Sequence, residues 1–110
     1  MGQFVKGDVV VVPFPFSDLS AAKRRPALVI APLTGDDVIL CQITSRAVAD
    51  DYAIPIADND FATGGLRQDS NVRPNRLFTA DAGIILYRAG TLNNSKMQQV
   101  IDRVIEIISR

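Results

Sequence analysis

Histidine and tryptophan are absent from this sequence, and cysteine occurs once. Without histidine the chain has no side chain that ordinarily titrates near neutrality, lacks the commonest zinc ligand, and cannot build a Ser-His or Cys-His nucleophile pair. The lone Cys41 cannot close an internal disulfide, and its place inside the apolar run Val38 to Ile43 reads as an inert core thiol. No apolar stretch approaches the eighteen or so residues of a membrane span. The opening Met1 to Asp8 shows no basic segment leading into an apolar core and a cleavage site, so a cytoplasmic protein without membrane association is expected. Charge of one sign is missing as well, since 12 Lys and Arg balance 12 Asp and Glu. That balance argues against a bulk electrostatic grip on nucleic acid, while leaving a local basic patch possible. Repeats, low-complexity tracts and Gly/Ser linkers are also lacking.

What is present is one domain over residues 1–110, 47% hydrophobic, with the composition of a compact globule. Val9 to Val12 is a β-branched run closed by Pro13, which reads as a buried strand that Phe14-Pro15-Phe16 continues in extended form. Ser17 to Arg25 is polar and without periodicity, a surface loop ending in Lys23-Arg24-Arg25. Pro26 biases Arg25 toward extended backbone and opens a second strand, Ala27 to Ala31. The turn Thr34 to Asp37 then leads into a third, Val38 to Ile43, as an antiparallel hairpin. Tyr52 to Ile56 reads as a short strand, Ala57 to Asp69 as a long loop, and Val72 to Asp81 with Gly83 to Tyr87 as further strand. From Ser95 the period becomes helical. Val100, Ile101, Val104, Ile107 and Ile108 share one face, with Ser95 and Gln98 spaced as a capping box. Strands first and a helix last describe a mainly β fold, a small sheet or barrel with the helix packed on it. A domain this small has little core to cover both an apolar first strand and an apolar helix face, so a homodimer is expected.

The hairpin gives the sequence its chemical interest. With its turn centred near residue 35, residues 25 and 44 fall roughly opposite each other, which brings the Arg25 guanidinium and the Thr44 hydroxyl to one sheet edge. Such a pair can hold a phosphodiester, the arginine clamping two oxygens while the hydroxyl adds a hydrogen bond. Two solvated strand ends have the same pattern. Lys23, Arg24, Arg46, Arg67, Arg73 and Arg76 suit either a phosphate-tracking groove or an ordinary solvated surface. Phe14, Phe16 and Phe61 suit either base stacking or core packing. The acids Asp36-Asp37, Asp50-Asp51 and Asp58-Asn59-Asp60 do not make a calcium loop, because Thr63 and Asp69 stand where glycine and glutamate are needed. They read as turn and loop acids, and no metal or cofactor is expected. Thr63-Gly64-Gly65 lacks the lysine of a phosphate loop and reads as a flexible turn.

The order Lys6-Gly7-Asp8-Val9, Pro13 to Asp18, Lys23-Arg24-Arg25-Pro26-Ala27-Leu28-Val29-Ile30, Ile43-Thr44-Ser45 and Gly90-Thr91-Leu92 resembles the MazF/PemK-like toxins of type II toxin-antitoxin systems over nearly the whole chain. The stretch Asp69 to Asp81 resembles that family's later strand pair. The resemblance implies an SH3-like small barrel of the kind shared with the CcdB gyrase poisons. It also implies a homodimer, cleavage of single-stranded mRNA at short sequences, and inhibition by a cognate antitoxin protein. Catalytic roles are implied for Arg25 and Thr44, with products ending in a cyclic phosphate and a free 5′ hydroxyl; beside them the basic residues and strand ends offer Lys23, Arg24, Ser45, Arg46 and Arg73 as the expected RNA contacts. Two alternatives stay open, a non-catalytic SH3-like binding module and a CcdB-like gyrase poison, although the terminal tryptophan of the latter family is missing from Ile107-Ile108-Ser109-Arg110.

Overall fold

The computed structural model describes residues 3–14 and 23–110. Within them lie β1 (Asp8–Phe14), β2 (Lys23–Pro32), β3 (Asp37–Thr44), β4 (Ile54–Ile56), β5 (Phe61–Gly64), β6 (Ser70–Asp81), β7 (Tyr87–Leu92) and α1 (Asn94–Ile108). The strands form one curled antiparallel sheet, a half-barrel in the order β4-β6-β3-β2-β1-β7-β5. The expected Pro15-Phe16 extension and the greater part of the basic loop lie outside the described residues.

Alternation along the central strands sends side chains to two opposite faces, and both faces are covered. Val9 and its cross-strand partner Leu28 point to the face that α1 packs on, joined there by Cys41, Ile43, Val72, Met97 and Val100. Val10 and its partner Ala27 point the other way, into a second cluster with Val12, Val29, Val38 and Leu40, which Phe4, Phe78 and Ile84 help to close. A strand buried on both sides needs a continuous apolar run, which explains Val9 to Val12. One copy of the chain already buries all four valines of β1, so the first strand leaves no apolar face for a second copy to cover.

Two elements of the resemblance are structural devices. Gly7 takes φ +98° in the turn before β1. The adjacent Asp8 is buried, accepts from the Val5 amide at 2.9 Å and from Thr91 Oγ1 at 3.0 Å, and forms an ion pair with Arg88, whose Nε lies 3.1 Å away. A buried carboxylate is tolerated when its lone pairs are filled in this way, and here it ties the chain start to β7. Gly90 faces Gly64 across the β5–β7 ladder, and a Cβ on Gly90 would come within 2.6 Å of the Thr63 carbonyl oxygen. A Cβ on Gly64 would run into the Ala89 carbonyl oxygen. Thr63-Gly64-Gly65 is therefore not merely a flexible turn, since its first two residues end an edge strand that only glycine lets approach β7 so closely.

Other boundaries also differ from the sequence reading. The expected loop 57–69 contains the short 3-10 turn Asp58–Asp60 and the edge strand β5, whose partner β7 is distant in sequence. The expected strand 83–87 is instead a 3-10 turn, Ala82–Ile84, capped by Asp81, with β7 starting at Tyr87. Tyr52 and Ala53 are not in β4, because Asp50 Oδ1 takes both their amides, at 3.0 and 3.1 Å. Helix α1 begins earlier than the Ser95 box implies. Asn93 is its cap, accepting from the Lys96 amide at 2.7 Å, while Gln98 instead donates to Asp102 one turn on. On the helix face, Met97 is buried with Val100 and Val104, whereas Ile108 is 69% exposed.

Candidate active site

The basic triplet lies on a strand. Phe14 pairs with Lys23, Pro13 with Arg24 and Val12 with Arg25, so β1 holds β2 extended well before Pro26. On the other side of β2, Ala27 pairs with Gln42 and Leu28 with Cys41. The register shifts between Val29 and Ala31, and continuing it by two residues past Ala27 and Gln42 sets Arg25 across from Thr44, one residue from where a count from the turn alone would put it. Arg25 and Thr44 also share the parity of Ala27 and Gln42, so both project from the face opposite α1.

They meet in a cleft of about 450 Å³. Val12, Phe14, Ala27 and Phe78 supply apolar wall, and Arg24, Arg25, Arg46 and Arg67 supply charge. Among the described residues no acid lines it, and none of these four arginines is in an ion pair. In a chain of zero net charge, this is a concentrated cationic surface with a partly apolar floor. Such a cleft suits a ligand that alternates anionic groups with flat rings.

The turn after β3 is tightly held. Thr44 Oγ1 accepts from the Arg46 amide at 3.1 Å, and the Arg46 carbonyl accepts from Asn71 Nδ2 at 3.2 Å. Of the expected contact residues, Arg24, Ser45 and Arg46 line the cleft beside Arg25 and Thr44. Lys23 stands at the outer end of β2 and Arg73 is elsewhere; neither lines it. The Arg73 guanidinium bonds Asp50 at 2.9 Å. Partial burial raises the Asp50 pKa, but the Arg73 hydrogen bond, the amides of Tyr52 and Ala53 and the Arg73 charge outweigh this and hold the carboxyl below its ordinary value. Asp50 thus serves as a turn acceptor, as does Asp60, which takes the Ala57 amide at 2.9 Å. Among the described residues no three His, Cys, Asp or Glu side chains gather as a metal site. Burial pushes the Cys41 thiol up to about 12, which keeps it protonated and inert.

Sequence reasoning did not identify Gln42, Gln68, Ser70 or Phe78 as cleft residues. Gln42 sits inside an apolar strand, where a lone amide points to a polar surface on that side, and this signal was available. Phe78 arrives through the β3–β6 pairing, which no local pattern encodes. It stands tilted against Phe14, ring centroids 6.2 Å apart. Phe61 instead packs against the helix-side core, and Phe16 lies outside the described residues.

No curated protein sequence matches this chain. Solved structures with the same fold are numerous. The crystal structure of MazF (Form-I) from Deinococcus radiodurans superposes with a TM-score of 0.78 at 17% identity, covering 100% of both chains. An endoribonuclease in complex with its cognate antitoxin, from Mycobacterial species, gives 0.77 at 11% identity, covering 97% of this chain and 96% of its own. The Mycobacterium tuberculosis toxin MazF-mt6 gives 0.69 at 19% identity, covering 93% and 96%. Identities this low establish the shared fold. A family model for PemK-like, MazF-like toxins matches residues 5–108, a span holding every strand and the whole helix. By that match over almost its full length, the chain belongs to the PemK-like, MazF-like toxins of type II toxin-antitoxin systems.

Proposed function

We propose that the protein is an endoribonuclease that cuts single-stranded mRNA at short sequences, using the cleft between the ends of β2 and β3. The observation that carries this is that Arg25 and Thr44 line one cleft, to which the described residues contribute four arginines and no acid. The solved relatives described as endoribonucleases support it, as does membership of a toxin family. RNA brings its own nucleophile in the 2′ hydroxyl. The 2′ oxygen bonds to phosphorus and the bond from phosphorus to the 5′ oxygen breaks. One proton leaves the 2′ oxygen and one reaches the 5′ oxygen, giving a 2′,3′-cyclic phosphate and a 5′ hydroxyl with nothing else consumed. This reaction asks for no metal and no cofactor.

What it asks for is donors facing the phosphoryl oxygens as negative charge builds there, each worth roughly 3 to 4 kcal/mol when preorganised. Arg25 clamps two oxygens and Thr44 donates to the same group. Arginine, with a pKa above about 12, acts here as a charge rather than as a base. Arg24, Ser45 and Arg46 hold flanking RNA within the cleft, and Lys23 does so from its outer end. Arg73, whose guanidinium Asp50 already engages, reaches RNA only where the strand extends beyond the cleft. The protein works in the cytoplasm as a homodimer, the second copy covering exposed apolar residues such as Leu86, Tyr87 and Ile105. A cognate antitoxin inhibits it by laying an acidic segment over the arginines.

The test is single-turnover cleavage of an RNA with a mapped cut site, with and without EDTA, by the parent, Arg25→Ala, Arg25→Lys and Thr44→Ala. Arg25→Ala and Thr44→Ala should each lose about a hundred- to a thousandfold in rate and little affinity. Lys at position 25 should restore binding but not most of the rate, because a point charge cannot meet two oxygens at once. Cleavage at the parental rate by folded Arg25→Ala would remove Arg25 from the mechanism. RNA binding without cleavage by the parent would return the protein to a non-catalytic binding module.

A further inference from the structure

We infer that Asn71 on β6 is a positioning residue that aims the Thr44 hydroxyl into the cleft, an inference resting on Thr44 being a donor in the proposed cleavage. A hydroxyl has one proton and two lone pairs, and in isolation it rotates among three staggered positions. For Thr44 that freedom is restricted, because Oγ1 accepts from the Arg46 amide at 3.1 Å. This bond closes a local turn of the kind short hydroxyl side chains make with the amide two residues on. It occupies one lone pair and leaves the proton to be donated outward. The hydroxyl is therefore aimed only as well as the Arg46 amide is fixed.

Arg46 lies beyond the last ladder pair of β3, Thr44 with Asn71, so no strand partner holds it. Its carbonyl is held by Asn71 Nδ2 at 3.2 Å, from a residue 25 positions later in sequence. Asn71 thus reaches from its place opposite Thr44 past the end of the strand and pins the residue whose amide orients the Thr44 oxygen. Two residues further along β6, Arg73 bonds Asp50 at 2.9 Å and fixes the far end of the same loop. β6 therefore holds residues 45–50 at both ends, and Asn71 is the anchor at the end next to the cleft. Only a donor can face a carbonyl oxygen. Aspartate has the shape of asparagine and would set a second acceptor against it.

The experiment measures single-turnover cleavage of one end-labelled RNA with a mapped cut site, beside binding of a 2′-deoxy version of that RNA and melting curves. The variants are Asn71→Ala, Asn71→Asp, Thr44→Val and both Asn71 changes in the Thr44→Val background. Asn71→Ala should cleave about tenfold slower, the loss expected when one modest hydrogen bond no longer aims a donor, and Asn71→Asp at least as slowly. Binding should stay within about twofold of the parent. A packing role would be kept by the isosteric Asp, and a role in RNA affinity would move the binding curve. With the Thr44 hydroxyl already removed, changing Asn71 should cost nothing more. Near-parental cleavage by both Asn71 variants while Thr44→Val is impaired would overturn this inference and leave the proposed cleavage standing, as would losses that multiply in the double variants. Parental cleavage by Thr44→Val would instead remove Thr44 from the proposed mechanism and this inference with it.

Discussion

At residue scale, Asp50 shows how one loop carboxylate ties two segments distant in sequence together. It accepts from two amides and from Arg73, and so links the turn before β4 to β6. Its pKa is held below the ordinary 3.8 despite partial burial, so between the two values the unfolded chain binds more protons than the native one. Stability from this group is therefore fully present above about pH 4, the ordinary aspartate range, and is lost as pH falls through the lower native value. Asp50→Asn keeps the acceptor for both amides and loses the charge. Its urea midpoint should fall less steeply than the parent's as pH drops below about 4, and identical acid limbs in the two proteins would show that the pair contributes nothing to acid sensitivity. The effect should be modest, because each side chain of the pair keeps a fifth to a quarter of its exposure.

At the scale of elements, the helix start decides between two readings of the same stretch. Ser95 and Gln98 match the spacing of a capping box, yet Asn93 holds the cap, and its own amide donates to the Asp60 carbonyl at 2.8 Å. The choice is tertiary, because docking the chain on the 3-10 turn at Asp58–Asp60 fixes the backbone two residues before Ser95. Replacing Asn93 with Ala should cost about 1 kcal/mol of stability, and Ser95→Ala, in the first turn and exposed, less than about 0.5 kcal/mol. Thermal or urea unfolding of the two variants measures this, and a larger loss at Ser95 would reverse the assignment. Met97 entered the core for the same reason, since a helix starting at Asn94 turns Met97, Val100 and Val104 together toward the sheet.

For the whole molecule, a net charge of zero coexists with a cleft of four arginines, so attraction to RNA has to be local. Binding of a non-cleavable RNA should then weaken with salt at a slope of about −2 to −3 in log Kobs against log salt, as for three or four phosphates neutralised on a single strand. Arg46→Ala should reduce that slope by about 0.7. A salt-independent affinity in filter-binding or fluorescence titrations would be incompatible with the proposed groove. The sequence by itself determined the elements whose signals are local: the buried valine strand, the hairpin turned at Gly35 and the amphipathic helix, whereas Lys23 to Arg25, which read as the end of a loop, are strand because β1 pairs with them. It also brought Arg25 and Thr44 roughly opposite each other, while the register shift between Val29 and Ala31, which no turn count records, decides which residue Arg25 faces. Only the tertiary structure decided β5, the covering of both sheet faces, Phe78 in the cleft floor, and Arg73 bonded to Asp50. Each of these comes from pairing between segments distant in the chain, chosen by which surfaces bury together, and no run of neighbouring residues records that choice. Asn71 belongs with them: its side chain meets the Arg46 carbonyl only because β6 returns beside β3.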